Sequence, residues 1–173
     1  KYTLPEFGIE MPFRPGDFTQ INTDTNRLMV SRAVKMLDIR QGERVVDLFC
    51  GLGNFSLPIA KSGASVVGVE GAENLVGRAR QNARLNGCGG QTDFIAANLF
   101  DCTENTVASW GKFAKMLIDP PRSGAYEVVR SLKPPYLPKK IVYVSCNPST
   151  LARDAGVLVE KGYILGQVGI MNM

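Results

Sequence analysis

Val45-Val46-Asp47-Leu48-Phe49-Cys50-Gly51-Leu52-Gly53-Asn54-Phe55 is the stretch on which the reading of the chain turns. Its apolar start, Arg44 to Phe49, reads as a buried strand that runs straight into a glycine turn. A helix is expected next, from about Phe55 to Ser62. Gly51 and Gly53 lack a Cβ, so they can take positive φ and let a ligand approach the backbone. Strand, glycine turn and helix together form the opening unit of a nucleotide-type pocket in an open α/β sheet.

The residues that follow indicate which nucleotide. A dinucleotide fingerprint needs Gly-x-Gly-x-x-Gly, and Ser56 stands at the third position, so that match is incomplete. The alternative ligand is S-adenosylmethionine, which has an adenosine but no phosphate. Such a site needs an acidic residue after the next strand to hold the ribose hydroxyls. Ala64-Ser65-Val66-Val67-Gly68-Val69-Glu70 supplies that strand, with Glu70 at its end. A plainer reading makes the glycines only a tight turn and Glu70 only a cap for the next helix. The order of the parts favours the pocket.

Composition sets outer bounds. The 173 residues, 45% hydrophobic, suit one compact domain with a real core. The net charge of +4 allows an anionic partner without arguing for one. No apolar run of about 18 residues exists, so no membrane span is expected, and no signal-peptide pattern opens the chain. Cys50, Cys88, Cys102 and Cys146 include no metal-type Cys-x-x-Cys pair, and reduced thiols in a cytoplasmic protein are the expectation. Histidine is absent, which excludes Ser-His-Asp and Cys-His machinery and any His-ligated metal within these residues. The chain starts at Lys1 and stops at Met173 inside an apolar run, so it reads as part of a longer protein.

Taken in order, residues 1–17 carry Pro5, Pro12 and Pro15 and read as an irregular lead-in or linker, with a catalytic domain over 18–173. A helix is expected from about Asp24 to Leu37, capped by Asn22 or Thr23, with Met29, Ala33, Met36 and Leu37 on one side. Gln20 either faces a ligand or is simply solvated. Ala72 to Asn86 reads as a helix with Leu75, Ala79 and Ala83 in register and Gly87 to end it. Its Arg78, Arg80 and Arg84 read as a solvated face. Thr92 to Ala97 is a third strand, ending at Asn98, and Asp101 to Trp110 is a looser helical connection. Lys115 to Ile118 is a short fourth strand, and Gly124 to Leu132 reads as helical. Lys140 to Ser145 is a fifth strand, followed by a helix from Pro148 to Lys161 with Leu151, Ala155, Leu158 and Val159 inward. A sixth strand is expected to begin at Tyr163. This alternation implies a mostly parallel sheet covered on both faces, a Rossmann-like fold. Ligands in such sheets sit beyond the C-terminal strand ends. Glu70, Asn98, Asp119 and Cys146 all fall at such ends, beside the Gly51–Gly53 turn.

Two motifs carry chemistry. In Asp119-Pro120-Pro121-Arg122 the prolines fix φ and hold the Asp119 carboxylate in one arrangement. Amino-methyltransferases place an aromatic residue after a related Asp/Asn-Pro-Pro; Arg122 stands there instead, which argues against an exocyclic amine target. In Ser145-Cys146-Asn147-Pro148, Asn147 is a good N-cap and Pro148 a good first helical residue. Cys146 is therefore expected near a helix N-terminus, where the partial positive charge favours thiolate. The other three cysteines are expected in packing roles or loops. A thiolate beside a methyl donor has a use. Carbon-5 of uracil is a poor nucleophile until a thiolate adds at carbon-6.

These residues resemble the RNA uracil-5-methyltransferases. The resemblance rests on Phe18-Thr19-Gln20-Ile21-Asn22, on Asp47 to Phe55, on Asp119 to Arg122, and most specifically on Ser145-Cys146-Asn147-Pro148-Ser149-Thr150-Leu151-Ala152-Arg153-Asp154. Val66 to Gly71 and Gln81 to Gly87 are similar to the bacterial 23S ribosomal RNA branch. The resemblance implies Cys146 as nucleophile, with Gln20, Phe49, Gly51, Asn54, Glu70, Asn98 and Asp119 around S-adenosylmethionine. It implies RNA as partner, 23S rRNA first and tRNA as the alternative; no protein partner is implied, and the absence of a long apolar run leaves no membrane expected. It also implies an RNA-binding β-barrel and an iron–sulfur cluster upstream of these residues. The family's proton-abstracting glutamate is expected downstream, so cofactor binding with little turnover is expected of these residues alone. The competing readings are a methyltransferase for a non-RNA substrate and a non-catalytic nucleotide- or RNA-binding module.

Overall fold

The structure is a computed structural model, and it describes residues 1–12, 14 and 22–171. Five parallel strands make the central sheet: β3 (Arg44–Leu48), β4 (Ser65–Glu70), β5 (Thr92–Ala96), β6 (Lys115–Ile118) and β7 (Lys140–Tyr143), in the order β5-β4-β3-β6-β7. The chain starts in the middle, winds outward through β4 and β5, then crosses back to β6 and β7. The direction of winding therefore switches between β3 and β6, the place where such sheets open a crevice.

Helices cover both faces. α1 (Thr23–Leu37), α2 (Ser56–Lys61) and α3 (Glu73–Leu85) pack on one; α4 (Glu104–Trp110), α5 (Tyr126–Ser131) and α6 (Pro148–Glu160) pack on the other. The strands divide between the layers by alternation. Val45, Val66 and Leu117 join the first core, and Val46, Val67, Val69, Met116 and Ile118 join the second. Burial on both faces explains why these strands read as continuous apolar runs. The strand and helix expectations from Arg44 to Lys161 hold to within a few residues at each end, as does the capping of α1 by Asn22, whose side chain accepts from Thr25 N.

Three expectations need correction. Residues 2–11 are not irregular: β1 (Tyr2–Leu4) and β2 (Ile9–Met11) form an antiparallel hairpin around a 3-10 turn, Pro5–Phe7. Leu4, Ile9 and Met11 are buried in the first core, which gives this short hairpin the apolar support that two isolated strands lack. The sixth strand does not form over 163–171, where the described residues pair with no ladder. Ile164, Leu165, Val168 and Ile170 there are exposed. In α6, Val159 faces out at 55% exposure, while Asp154 is fully buried in its place. Arg80 and Arg84 are exposed, as a solvated face requires, and Arg78 is half-buried; Arg78 and Arg80 also donate to the carbonyls of Pro12 (3.1 Å) and Phe94 (2.7 Å). Among the described residues no helix is long and apolar enough to cross a membrane.

Candidate active site

The ladders carry one residue further than the strands and so align the rim. Cys50 N donates to Val69 O (3.1 Å), Ala97 N to Glu70 O (3.0 Å), Asp119 N to Leu48 O (3.3 Å) and Val144 N to Ile118 O (2.8 Å). The glycine turn, Glu70, Asn98, Asp119 and Cys146 therefore all leave the sheet at the same edge. β3 and β7 are two strand spacings apart, about 10 Å, so the glycine turn and the Cys146 loop stand on either side of the C-terminal end of β6.

The turn is conformationally specialised. Phe49 has φ +61°, an uncommon backbone state for a bulky residue, and its ring meets that of Phe100 at 5.8 Å between centroids. Gly51 has φ +53°, and a Cβ there would meet nothing within 4 Å, so the backbone lies open to an approaching ligand. Gly53 serves packing instead: a Cβ would lie 2.6 Å from Leu57 Cδ1. Glu70 folds over the turn, accepting from Gly51 N (3.3 Å) through one oxygen and from Ala72 N (2.9 Å) through the other. It thus braces the turn and the start of α3 together. Asn98 caps the 3-10 turn Leu99–Asp101, accepting from Phe100 N (3.0 Å) and donating to Asp101 Oδ2 (2.9 Å). The Asn54 amide is engaged with Asn26 and Tyr2. Gln20 lies outside the described residues.

Asp47 is a rim residue that the sequence reading passed over. It is fully buried under the turn. Ser56 Oγ donates to Oδ2 (2.6 Å), and Oδ1 has no protein partner. Burial pushes its carboxyl up to about 7, with the Asp119 and Glu70 charges adding and the Ser56 hydrogen bond opposing. Burial alone pushes Asp119 up to about 7. Cys50, also buried here, has its thiol raised first by burial and then by Asp47 and Glu70, which suits a packing role.

The second half of the site is a clip between two loops. Asn147 caps α6, accepting from Ser149 N (3.1 Å), and Pro148 takes the first helical turn. Asn147 Nδ2 and Thr150 Oγ1 each donate to Arg122 O at 3.0 Å, and Arg153 Nη2 donates to Ser123 O at 2.9 Å. Beneath them Asp154 Oδ2 accepts from Ala125 N (2.8 Å) and from the Tyr143 hydroxyl (2.6 Å), while Oδ1 accepts from Arg153 Nε (3.0 Å). Gly124 permits the contact: at φ +78°, its Cβ would lie 2.8 Å from Asp154 Oδ2 and 3.0 Å from Thr150 Cβ. The Asp119–Arg122 and Ser145–Asp154 motifs are therefore one rigid unit. Of the four cysteines, Cys50, Cys88 and Cys102 are buried, and Cys146 is exposed at the head of α6. Among the described residues no group of His, Cys, Asp or Glu could hold a metal.

A family model described as tRNA (Uracil-5-)-methyltransferase matches residues 9–165. The chain belongs to that family. The glycine turn, Glu70, Asn98, Asp119 and Cys146 all fall inside the match. Within this methyltransferase family, the 23S rRNA (uracil(1939)-C(5))-methyltransferase RlmD of Neisseria lactamica is 88% identical over 173 residues, 100% of this chain and 38% of that protein. The RlmD of Aromatoleum aromaticum is 62% identical, over 99% of this chain and 40% of that protein. The chain spans about two fifths of the length of these relatives. Among solved structures, Pyrococcus abyssi tRNA (uracil-54, C5)-methyltransferase in complex with S-adenosyl-L-homocysteine superposes with a TM-score of 0.73 at 30% identity, covering 86% of this chain and 35% of that one. The fold is that of a methyltransferase domain, as the alternation of strands and helices implied.

Proposed function

We propose that these residues are the catalytic core of an S-adenosylmethionine-dependent RNA uracil-5-methyltransferase that acts on 23S rRNA in the cytoplasm. The observation that carries the reading is the placement of Cys146. It is the exposed cysteine, it heads α6, and its loop is clipped to Asp119–Arg122 on the same rim as the glycine turn. The 88% identity to a ribosomal RNA enzyme favours rRNA over tRNA as the substrate.

The residues present fit the donor. The open backbone at Gly51 leaves room for it, and Asp47 offers an unpartnered carboxylate oxygen under the turn. Phe49, Gly51, Asn54, Glu70, Asn98 and Asp119 would surround it, together with Gln20. When bound, S-adenosylmethionine supplies an electrophilic methyl group on a sulfonium. The Cys146 thiolate forms a bond to carbon-6 of the uracil, and the ring electrons move onto the carbonyl oxygen as an enolate. Carbon-5 would then attack the donor's methyl, the sulfonium C–S bond breaking with its electron pair left on S-adenosylhomocysteine; a base would remove the carbon-5 proton, and the Cys146 sulfur would leave with the electrons of its bond to carbon-6 as the ring double bond reforms. The Asn147 cap and the clip hold the nucleophile's loop against the Asp119 loop, which supplies the orientation such a step needs.

Replacement of Cys146 by Ala in the full-length protein tests the reading. Methyl transfer to unmodified 23S rRNA should be lost while S-adenosylhomocysteine still binds. Methylation at the unaltered rate would overturn the covalent route.

A further inference from the structure

The turn over Gly51–Phe55 is held from three elements besides its own. Glu70 of β4 accepts from Gly51 N. Asn82 of α3, 2% exposed, donates to Leu52 O at 3.0 Å. Asn26 of α1, 1% exposed, forms a reciprocal amide pair with Asn54: Asn54 Nδ2 donates to Asn26 Oδ1 at 3.0 Å, and Asn26 Nδ2 to Asn54 Oδ1 at 3.2 Å. The hairpin closes this pair into a ring. The Tyr2 hydroxyl donates to Asn54 Oδ1 at 3.0 Å and accepts from Asn26 Nδ2.

A second route joins the same elements. Glu10 N donates to Asn86 Oδ1 (2.9 Å), and Asn86 Nδ2 donates back to Glu10 O (2.8 Å) and to Asn82 O (2.8 Å). Asn82 then reaches Leu52. Arg27 adds an anchor, with bonds to the carbonyl and hydroxyl of Thr3 (3.0 and 2.7 Å). Asn26 and Asn82 sit among apolar neighbours, where a polar side chain is costly unless it is paired, and a paired ring admits one arrangement. Burial pushes the Tyr2 phenol up to about 12, so it remains a donor at neutral pH.

We propose that Tyr2 and Asn26 are positioning residues for the donor site: they fix the Asn54 amide and the Gly51–Phe55 turn, so that the N-terminal hairpin sets cofactor affinity. This rests on the reading of the turn as the S-adenosylmethionine site. Neither residue belongs to the motifs by which that site is read from the sequence.

The test uses the full-length protein, calorimetric titration with S-adenosylhomocysteine, and thermal unfolding without ligand. Tyr2→Phe removes one hydroxyl and keeps the ring. It should weaken binding about tenfold, as expected for one lost hydrogen bond, and raise KM for S-adenosylmethionine with kcat unchanged. Asn54→Ala should weaken binding and make Tyr2→Phe silent in its background, the non-additivity of a shared network. Asn26→Leu, which keeps the heavy-atom branching and removes the amide, should reproduce the loss. Unchanged affinity in a folded Tyr2→Phe or Asn26→Leu protein overturns the proposal while leaving the donor site intact. Failure of the unsubstituted protein to bind S-adenosylhomocysteine overturns the donor-site reading itself.

Discussion

Asp154 and Tyr143 are joined by a 2.6 Å hydrogen bond from the tyrosine hydroxyl to Asp154 Oδ2, an oxygen that also accepts from Ala125 N. One buried carboxylate thus ties the end of β7, the head of α5 and the body of α6, and it lies under both motif loops. Burial, first, and then the bond to Asp154 raise the tyrosine's pKa, so the phenol stays a donor. Asp154→Ala leaves a buried amide and a hydroxyl without an acceptor. It should cost about 2–5 kcal/mol and lower Tm by roughly 2–4 °C for each kcal/mol. Asp154→Asn keeps an acceptor and should cost less. Thermal unfolding of both variants checks the ranking, and equal Tm values would remove Asp154 from the clip.

Two glycines should respond oppositely to alanine. Gly124, at φ +78°, faces Asp154 Oδ2 and Thr150 Cβ closely, so Gly124→Ala should destabilise by about 1–3 kcal/mol and loosen the loop junction. Gly77 lies inside α3, and a Cβ there meets nothing within 4 Å. Gly77→Ala should stabilise by about 0.5–1 kcal/mol, because the glycine loses more chain entropy on folding. Denaturant unfolding of the two variants reads both signs.

The pH dependence follows from Asp47 and Asp119, both pushed up to about 7 from 3.8. An acid with a raised folded pKa holds its proton more tightly when folded. Its contribution is fully present below the unfolded pKa and is lost as pH rises through the folded one. Stability without ligand from these two groups should therefore fall between about pH 4, near the unfolded value, and about pH 7, the folded one. A cationic ligand beside them favours the ionised forms. Binding of S-adenosylmethionine should release protons below about pH 7 and tighten as pH rises. Calorimetry in buffers of different ionisation heat measures that release, and tighter binding at lower pH would contradict the placement of a cation over these carboxyls.

Much of the sheet was legible because each strand is a short apolar run bounded by turn residues, and each rim residue follows such a run directly. What escaped shares a physical cause. Asn26, Asn82 and Asp154 lie on helices, where a polar residue reads as solvent-facing; each is buried because partners distant in sequence satisfy it. Asp154 in this way displaced Val159 from the inward face of α6. Asp47 sat inside the apolar strand that was read, yet its role depends on Ser56 and on an oxygen left without a partner. The hairpin was hidden by length, since three-residue strands around Pro5–Phe7 show almost no alternation. The apolar run after Tyr163 has strand-like composition, but β propensity needs a neighbouring strand to pair with. Over 163–171 none pairs.

The nucleophilic role of Cys146 is tested most directly with a 5-fluorouridine RNA. Fluorine at carbon-5 cannot leave as a proton does, so an adduct that forms and is methylated stays bonded to sulfur. Full-length protein incubated with S-adenosylmethionine and 23S rRNA fragments carrying 5-fluorouridine should yield a denaturation-resistant complex, with the RNA attached at Cys146 by peptide mass. Cys146→Ala should give none. A complex of equal yield in Cys146→Ala, or none in the unsubstituted protein under conditions where it methylates ordinary uridine, would contradict the covalent mechanism.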